Sequence, residues 1–156
     1  MKKTIKLLAL VIIALVVLIQ LYRPERFTTK EITSDHITKV LNVPENVQSI
    51  LNRSCFDCHS NQTRWPWYSG VAPVSWFVIS DVSRGRSKMN FSEWGKYSKT
   101  KQGIKLDNIC EEITDGEMPL KQYLYIHKDA VLSKEDKDVL CNWAKGESKK
   151  LEDNDE

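Results

Sequence analysis

The stretch SCFDCHSN, residues 54–61, contains the residues on which the fold and its chemistry depend. It places Cys55 and Cys58 three positions apart, and His59 follows the second cysteine directly. Cysteines at this spacing occur in zinc sites, in disulfide-exchanging sites and in sites where haem is attached covalently. The surrounding sequence and the chemistry of each site have to distinguish these three possibilities.

The residues before the stretch predict a helix that runs into the cysteines. Pro44 suits a first helical turn. Apolar residues then recur at the spacing of one helix face, at Val47, Ile50 and Leu51. On such a helix the two cysteines and the histidine follow at i, i+3 and i+4, so that all three project from one face. We therefore expect a flat group to lie against that face.

Of the three possibilities, covalent haem accounts for all three residues. Structural zinc needs four ligands in a tetrahedron, and the adjacent Cys58 and His59 are poorly placed for two of its vertices. A thioredoxin-like site would use the cysteines alone, in a βαβ context that the sequence does not show. In a C-x-x-C-H motif each thiol forms a thioether with a haem vinyl group, and the histidine binds the iron. We therefore predict one covalently attached haem c.

The iron of such a haem usually has a second protein ligand. Met118 lies in DGEMPL between Gly116, which ends a predicted helix, and Pro119, which stiffens the backbone. Because its thioether would sit on a constrained loop, we predict Met118 as the distal ligand. The main alternative is His127, a little further along the chain. The remaining candidates are His36 and Met89.

The chain resembles small single-haem cytochromes c and, more closely, the membrane-anchored bacterial haem-binding domain family. The resemblance covers most of residues 22–144 and rests on RPER, NRSCFDCHSNQTRWPWYS, APVSW, NFSEW, EEITDGEMPL and LSKEDKDVLCNWA. It implies a small cytochrome c-like helical domain wrapped around one haem. It also implies that Cys55 and Cys58 are the attachment sites, His59 the proximal ligand and Met118 the distal ligand.

The fold predicted from the sequence is mainly α, because no alternating run is long enough for a sheet. A Pro- and Gly-rich loop with Trp65, Trp67, Tyr68 and Trp76 is predicted to surround the haem. We predict a transmembrane helix over residues 1–22, a tether over 23–40, the haem-binding domain over 41–146 and a charged flexible tail over 147–156.

The N-terminus has the pattern of an export signal, in which three lysines precede the apolar run LLALVIIALVVLIQLY. The absence of a small-x-small cleavage site favours a retained anchor over a cleaved signal. We therefore predict a single-pass protein of the bacterial inner membrane with its haem domain in the periplasm.

Two further cysteines, Cys110 and Cys141, lie on the last two long predicted helices. In an exported protein an even leftover pair favours a disulfide, and two separate buried thiols are the alternative.

The predicted function is one-electron transfer by a membrane-tethered single-haem c-type cytochrome, and we favour an electron carrier over an enzyme. The alternatives are a peroxidase-like haem enzyme and a haem-based redox or gas sensor with a displaceable distal ligand. The 23 basic and 21 acidic residues nearly cancel, which argues against nucleic acid as a partner. We expect redox proteins as partners, together with the inner membrane through the anchor.

Overall fold

The computed structural model describes residues 2–153, and within that range the chain forms helices and no strands. This architecture agrees with the predicted mainly α class. Three short 3₁₀ turns supplement the α-helices, at Trp67–Gly70, Phe91–Lys96 and Lys128–Ala130. The α-helices are α1 (Lys2–Ile19), α2 (Ile37–Val40), α3 (Glu45–Ser54), α4 (Phe56–His59), α5 (Val74–Lys88), α6 (Lys99–Asp115), α7 (Lys121–Leu124) and α8 (Lys134–Asp153).

The two long helices α6 and α8 form an antiparallel hairpin. Cys110 is joined to Cys141 by a disulfide with an S–S distance of 2.03 Å. Earlier on α6 the carbonyl of Gly103 accepts a hydrogen bond from Ser148 Oγ, which lies later on α8. Earlier residues of α6 thus pair with later residues of α8, so the two helices run in opposite directions.

The hydrophobic core lies between this hairpin, α3 and the turn Phe91–Lys96. Its fully buried side chains include Leu51, Leu106, Leu140 and Trp94. Burying one large apolar side chain stabilises the fold by roughly 1.5 to 3 kcal/mol, so this cluster anchors the elements around it. Trp143 also ties α8 to the start of the domain, because its Nε1 donates to the carbonyl of Asn42 at 3.0 Å.

Helix ends follow signals that the sequence contains. Gly116 ends α6 in the left-handed conformation, with φ 76°. Ser133 and Asp136 form a reciprocal cap at the start of α8, with Ser133 N donating to Asp136 Oδ2 and Asp136 N donating to Ser133 Oγ.

The C-terminal end of α8 differs from the predicted flexible tail. Residues 147–153, predicted as a flexible tail, continue the helix with Glu147 and Ser148 buried, while the rest of that tail lies outside the described residues.

The predicted transmembrane anchor is contradicted by the structure. In the described part of the chain, none of the helices combines the length and the apolar character that crossing a bilayer requires. Helix α1 includes the three lysines, so its apolar portion is confined to residues 7–19. At 1.5 Å per residue that portion is about 20 Å long, against roughly 30 Å of hydrocarbon. The predictions of a single-pass anchor and of localisation at the inner membrane are therefore wrong.

The segment predicted as a tether is packed against the domain. His36 and Ile37 are buried, with 2% and 0% of their surfaces exposed, so the core begins before the expected start near Leu41. Residues 20–31, which we call the N-terminal strap, lie along the loop that follows α4 and along α5. Its hydrogen bonds include Thr29 N to Asn61 O (2.9 Å), Thr28 Oγ1 to Thr63 O (2.9 Å) and Gln62 Nε2 to Glu31 O (2.8 Å).

Candidate functional site

The C-x-x-C-H motif consists of Cys55, which separates α3 from α4, and of the single-turn helix α4. Helix α3 ends at Ser54, and Cys55 departs from helical geometry with φ −127° and ψ −44°. The carbonyl of Cys55 then accepts hydrogen bonds from the amides of Cys58 (3.2 Å) and His59 (2.9 Å). The expected single helix is thus interrupted at the first cysteine, but the turn that brings the three residues together is hydrogen-bonded.

The two thiols of the motif are free and neutral. Cys55 and Cys58 are both unbonded and partly buried. Burial raises the pKa of Cys55 to about 12, helped by the nearby Cys58. Burial also raises the pKa of Cys58 to about 12, and the carboxylates of Asp57 and Asp81 add to the effect. Both thiols are therefore protonated at neutral pH.

The imidazole of His59 is oriented by a backbone carbonyl. Its Nδ1 lies 3.0 Å from the carbonyl oxygen of Met89. A carbonyl can only accept, so Nδ1 carries the proton and Nε2 keeps its lone pair. Burial lowers the pKa of His59, although the hydrogen bond to Met89 opposes that shift. The ring is therefore a neutral imidazole with a lone pair on Nε2, the tautomer that a histidine oriented by a carbonyl uses to bind a metal.

A segment around Asn90 holds the loop that follows His59. The Nδ2 of Asn90 donates to Asn61 Oδ1 at 3.0 Å, and the amide of Asn61 donates to Ser92 Oγ at 2.9 Å. Asn90 Oδ1 in turn accepts from the amide of Ser92, so Asn90 is the N-cap of this turn. These bonds place the Met89 carbonyl beside His59.

Arg86 joins the motif to the N-terminal strap. Its Nε donates to the carbonyl of Ser60 (2.8 Å), and its Nη2 donates to Thr63 Oγ1 (2.7 Å) and to the carbonyl of Phe27 (2.9 Å). The guanidinium also lies over the ring of Phe27 at 5.6 Å. Burial lowers the pKa of Arg86. One side chain of α5 therefore links the residue after His59 to the strap.

A cavity of about 520 Å³ opens beside Cys58. Pockets for small ligands and cofactors typically have volumes of roughly 300 to 1,000 Å³ and mostly apolar walls. Phe77 and Ile126 line this cavity yet remain 69% and 62% exposed, so the cavity is open to solvent. Other apolar and aromatic residues in its wall are Trp65, Tyr68, Val74 and Val82.

The two candidate distal ligands occupy different places. His127 lines the same cavity as Cys58. Met118 packs against the hydrophobic core, as Cys55 does, and neither is in the cavity wall. The amide of Met118 donates to the carbonyl of Glu112 at 3.1 Å, and the charge of Glu112 raises the pKa of His59. Met118 therefore lies beside the C-terminal end of α6.

A comparison with protein-family models identifies the chain's relationship. The model described as a haem-binding domain matches residues 14–146, which is most of the chain. The chain belongs to the haem-binding domain family. No curated protein and no solved structure matches it. Membership of the haem-binding domain family indicates that the chain binds haem.

The residues of this haem-binding domain fit a haem at the motif. The thiols are free and neutral, His59 presents an unprotonated Nε2, and an open cavity with apolar walls begins at Cys58. Zinc fits less well, because no group of three or more His, Cys, Asp or Glu side chains in the described residues could hold a metal ion. A haem also explains the exposed apolar side chains at the cavity, since bound porphyrin would cover them.

The aromatic loop of the haem-binding domain is only partly in the cavity wall. Trp65 and Tyr68 line the cavity. Trp76 instead donates from Nε1 to the carbonyl of Tyr22 in the N-terminal strap, at 3.1 Å. Trp67 is 83% exposed. The aromatic residues predicted to surround the haem therefore divide between the cavity, the strap and the surface.

Gly85 is a residue of the site that sequence reasoning missed. Helix α5 continues to Lys88, and Gly85 is buried within it. A Cβ built at Gly85 would lie 2.7 Å from the carbonyl oxygen of Cys58. The signal was present, because a glycine inside a helical pattern often marks a close backbone approach.

Proposed function

We propose that this haem-binding domain is a c-type cytochrome that carries single electrons between partner redox proteins. In this proposal Cys55 and Cys58 hold one haem through thioether bonds, and His59 and Met118 are the axial ligands. The observation that carries the proposal is the bond from His59 Nδ1 to the Met89 carbonyl, beside two free thiols. It supports the proposal because it leaves Nε2 as the ligand atom at the position that a C-x-x-C-H motif requires.

Each residue has a distinct part in this proposal. Bound haem supplies an iron that alternates between the ferrous and ferric states. The thiols keep the cofactor from dissociating, and the Met89 carbonyl keeps His59 in one orientation and one tautomer. The thioether of Met118 favours ferrous iron and raises the reduction potential relative to a second histidine. A fixed ligand pair suits an electron carrier, because little has to move when the iron changes its oxidation state.

The proposal is tested first by covalent attachment. Cys55→Ser/Cys58→Ser, produced with a cytochrome c maturation system, should lose all haem that survives a denaturing gel, whereas the wild-type chain should stain for haem. The matched control is Cys110→Ser/Cys141→Ser, which also removes two cysteines but leaves the motif intact. This control should still stain.

Electron transfer is then tested on the same wild-type preparation by a potentiometric titration of the visible spectrum. A single reversible one-electron transition between two low-spin forms is expected. Haem that remains covalently bound in the Cys55→Ser/Cys58→Ser chain would contradict the attachment. A high-spin spectrum that shifts on addition of peroxide or carbon monoxide would contradict the electron-carrier function and favour an enzyme or a sensor.

A further inference from the structure

His127 lies in the cavity wall with Cys58, although Met118 is the proposed distal ligand. Its imidazole is held in place by two tyrosines. The ring of Tyr123 stacks on it with centroids 4.2 Å apart and an interplanar angle of 11°, and the ring of Tyr68 meets it edge-on at 6.2 Å. The histidine is thus immobilised on a surface that a bound haem would share.

The Nε2 atom of His127 already takes part in a hydrogen bond. Its Nε2 and the hydroxyl of Tyr68 share a hydrogen bond of 2.7 Å. Whether Nε2 accepts this hydrogen bond or donates it, the atom has no lone pair free for a metal.

The tyrosine that stacks on His127 is itself bound to the attachment motif. Tyr123 Oη donates to Asp57 Oδ2 at 3.0 Å, and Asp57 is one of the two residues between the motif cysteines. The same carboxylate accepts two hydrogen bonds from Arg64, each of 3.0 Å. This network fixes His127 relative to the motif, so the Tyr68 hydrogen bond is the contact that most directly decides whether Nε2 is available.

We propose that Tyr68 keeps His127 from binding the haem iron and thereby makes His127 a reserve axial ligand. Breaking the Tyr68 hydrogen bond would release Nε2, whereas the thioether of Met118 needs no such release in order to bind. Tyr68 is then a specificity-determining residue that favours the methionine over the histidine. This inference rests on the proposed function, because it requires haem at the motif and Met118 as the ligand.

The test is the ferric spectrum of the haem-loaded protein. Wild-type protein should show the weak red band of iron bound to a thioether. Tyr68→Phe should lose part or all of that band, gain the paramagnetic resonance signals of two-histidine coordination and shift to a lower reduction potential. Tyr68→Phe/His127→Ala should recover the wild-type spectrum. The matched control is Tyr125→Phe, which removes a hydroxyl from a largely exposed ring in the same loop as His127 and should change nothing.

A second pair of variants keeps the proposal testable if Tyr68→Phe alone folds poorly. Met118→Ala should leave an open iron site that carbon monoxide fills readily, because Tyr68 still holds His127. Met118→Ala/Tyr68→Phe should instead show two-histidine signals and resist carbon monoxide.

The outcomes separate the two proposals. A thioether band in the wild-type protein that is unchanged in Tyr68→Phe would overturn the role of Tyr68 alone, and so would two-histidine signals in Met118→Ala. Wild-type protein without covalent haem, or without the thioether band, would overturn the proposed ligand set and this inference together.

Discussion

Gly85 illustrates how a single residue can position the motif. It lies inside α5, where glycine costs roughly 1 kcal/mol of helix stability relative to alanine. That cost is offset by the close approach of α5 to the backbone of Cys58, which a Cβ would obstruct at 2.7 Å. Because the obstructing atom is a backbone atom, rotation of a side chain cannot relieve the contact.

Gly85→Ala should therefore destabilise the fold and displace the motif. Overpacking of this kind typically costs about 1 to 3 kcal/mol, which exceeds the gain in helix propensity. We expect a lower urea midpoint and less covalent haem per chain.

The matched control is Gly146→Ala, because Gly146 is also within a helix but has no atom within 4 Å of the added Cβ. It should be neutral or stabilise the fold by up to about 1 kcal/mol. Equal midpoints for the two variants would contradict the contact.

At the scale of elements, Arg53 connects α3 to the start of α8. Its guanidinium lies 2.6 Å from Asp136, and it also donates to the carbonyls of Asp129 and Val131. Burial by itself would raise the pKa of Asp136, but hydrogen bonds from Arg53 and Ser133 outweigh it and hold the pKa below its usual value. The helix that leads into the motif is thus tied to the capped end of the last helix.

The stability that the Arg53–Asp136 ion pair contributes should depend on pH. A carboxylate whose pKa is lower in the folded than in the unfolded chain adds stability that is fully present above its unfolded pKa of about 3.9 and is lost as the pH falls through its folded value. Asp136→Asn should cost about 1 kcal/mol at neutral pH, and its deficit relative to wild type should shrink below about pH 4. Urea midpoints measured across this range check the prediction. Asp138→Asn, an exposed change on the same helix, is the control, and a deficit that is independent of pH would count against the ion pair.

At the scale of the whole molecule, the Cys110–Cys141 disulfide and the N-terminal strap add to the hydrophobic core in holding the helices together. The Cys110–Cys141 disulfide fastens the α6–α8 hairpin across a sequence separation of 31. The N-terminal strap is held in turn by hydrogen bonds, because the amide of Thr29 and the hydroxyl of Thr28 donate to the loop that follows the motif. The hairpin is therefore cross-linked covalently, and the strap is held by hydrogen bonds to the loop that follows the motif.

Removing the disulfide should lower the stability of the whole molecule. In the chain-entropy model a loop of this length contributes about 3 to 4 kcal/mol. Cys110→Ser/Cys141→Ser should therefore unfold at a clearly lower urea concentration than wild type. Cys55→Ser/Cys58→Ser, compared with wild type in the haem-free state, controls for the loss of two thiols and should change the midpoint much less. If the two double variants unfolded at the same midpoint, the disulfide would contribute little.

The sequence by itself determined the features that depend on residue type and short spacing. These are the mainly helical class, the cap formed by Ser133 and Asp136, and the helix end at Gly116. Each needs only contacts within a few residues, so its signal is local. The apolar N-terminus shows the limit of such signals, because its composition indicated a membrane anchor that the length of the apolar helix does not support.

The tertiary structure decided which distant groups meet. The partner of His59 is the carbonyl of Met89, 30 residues away. Because every residue has a carbonyl, the sequence contains no side-chain signal for this pairing. The hydrogen bond between Tyr68 and His127 spans 59 residues. Such pairings depend on how α5 and the aromatic loop pack against the motif, and packing is a property of the folded chain rather than of any short segment.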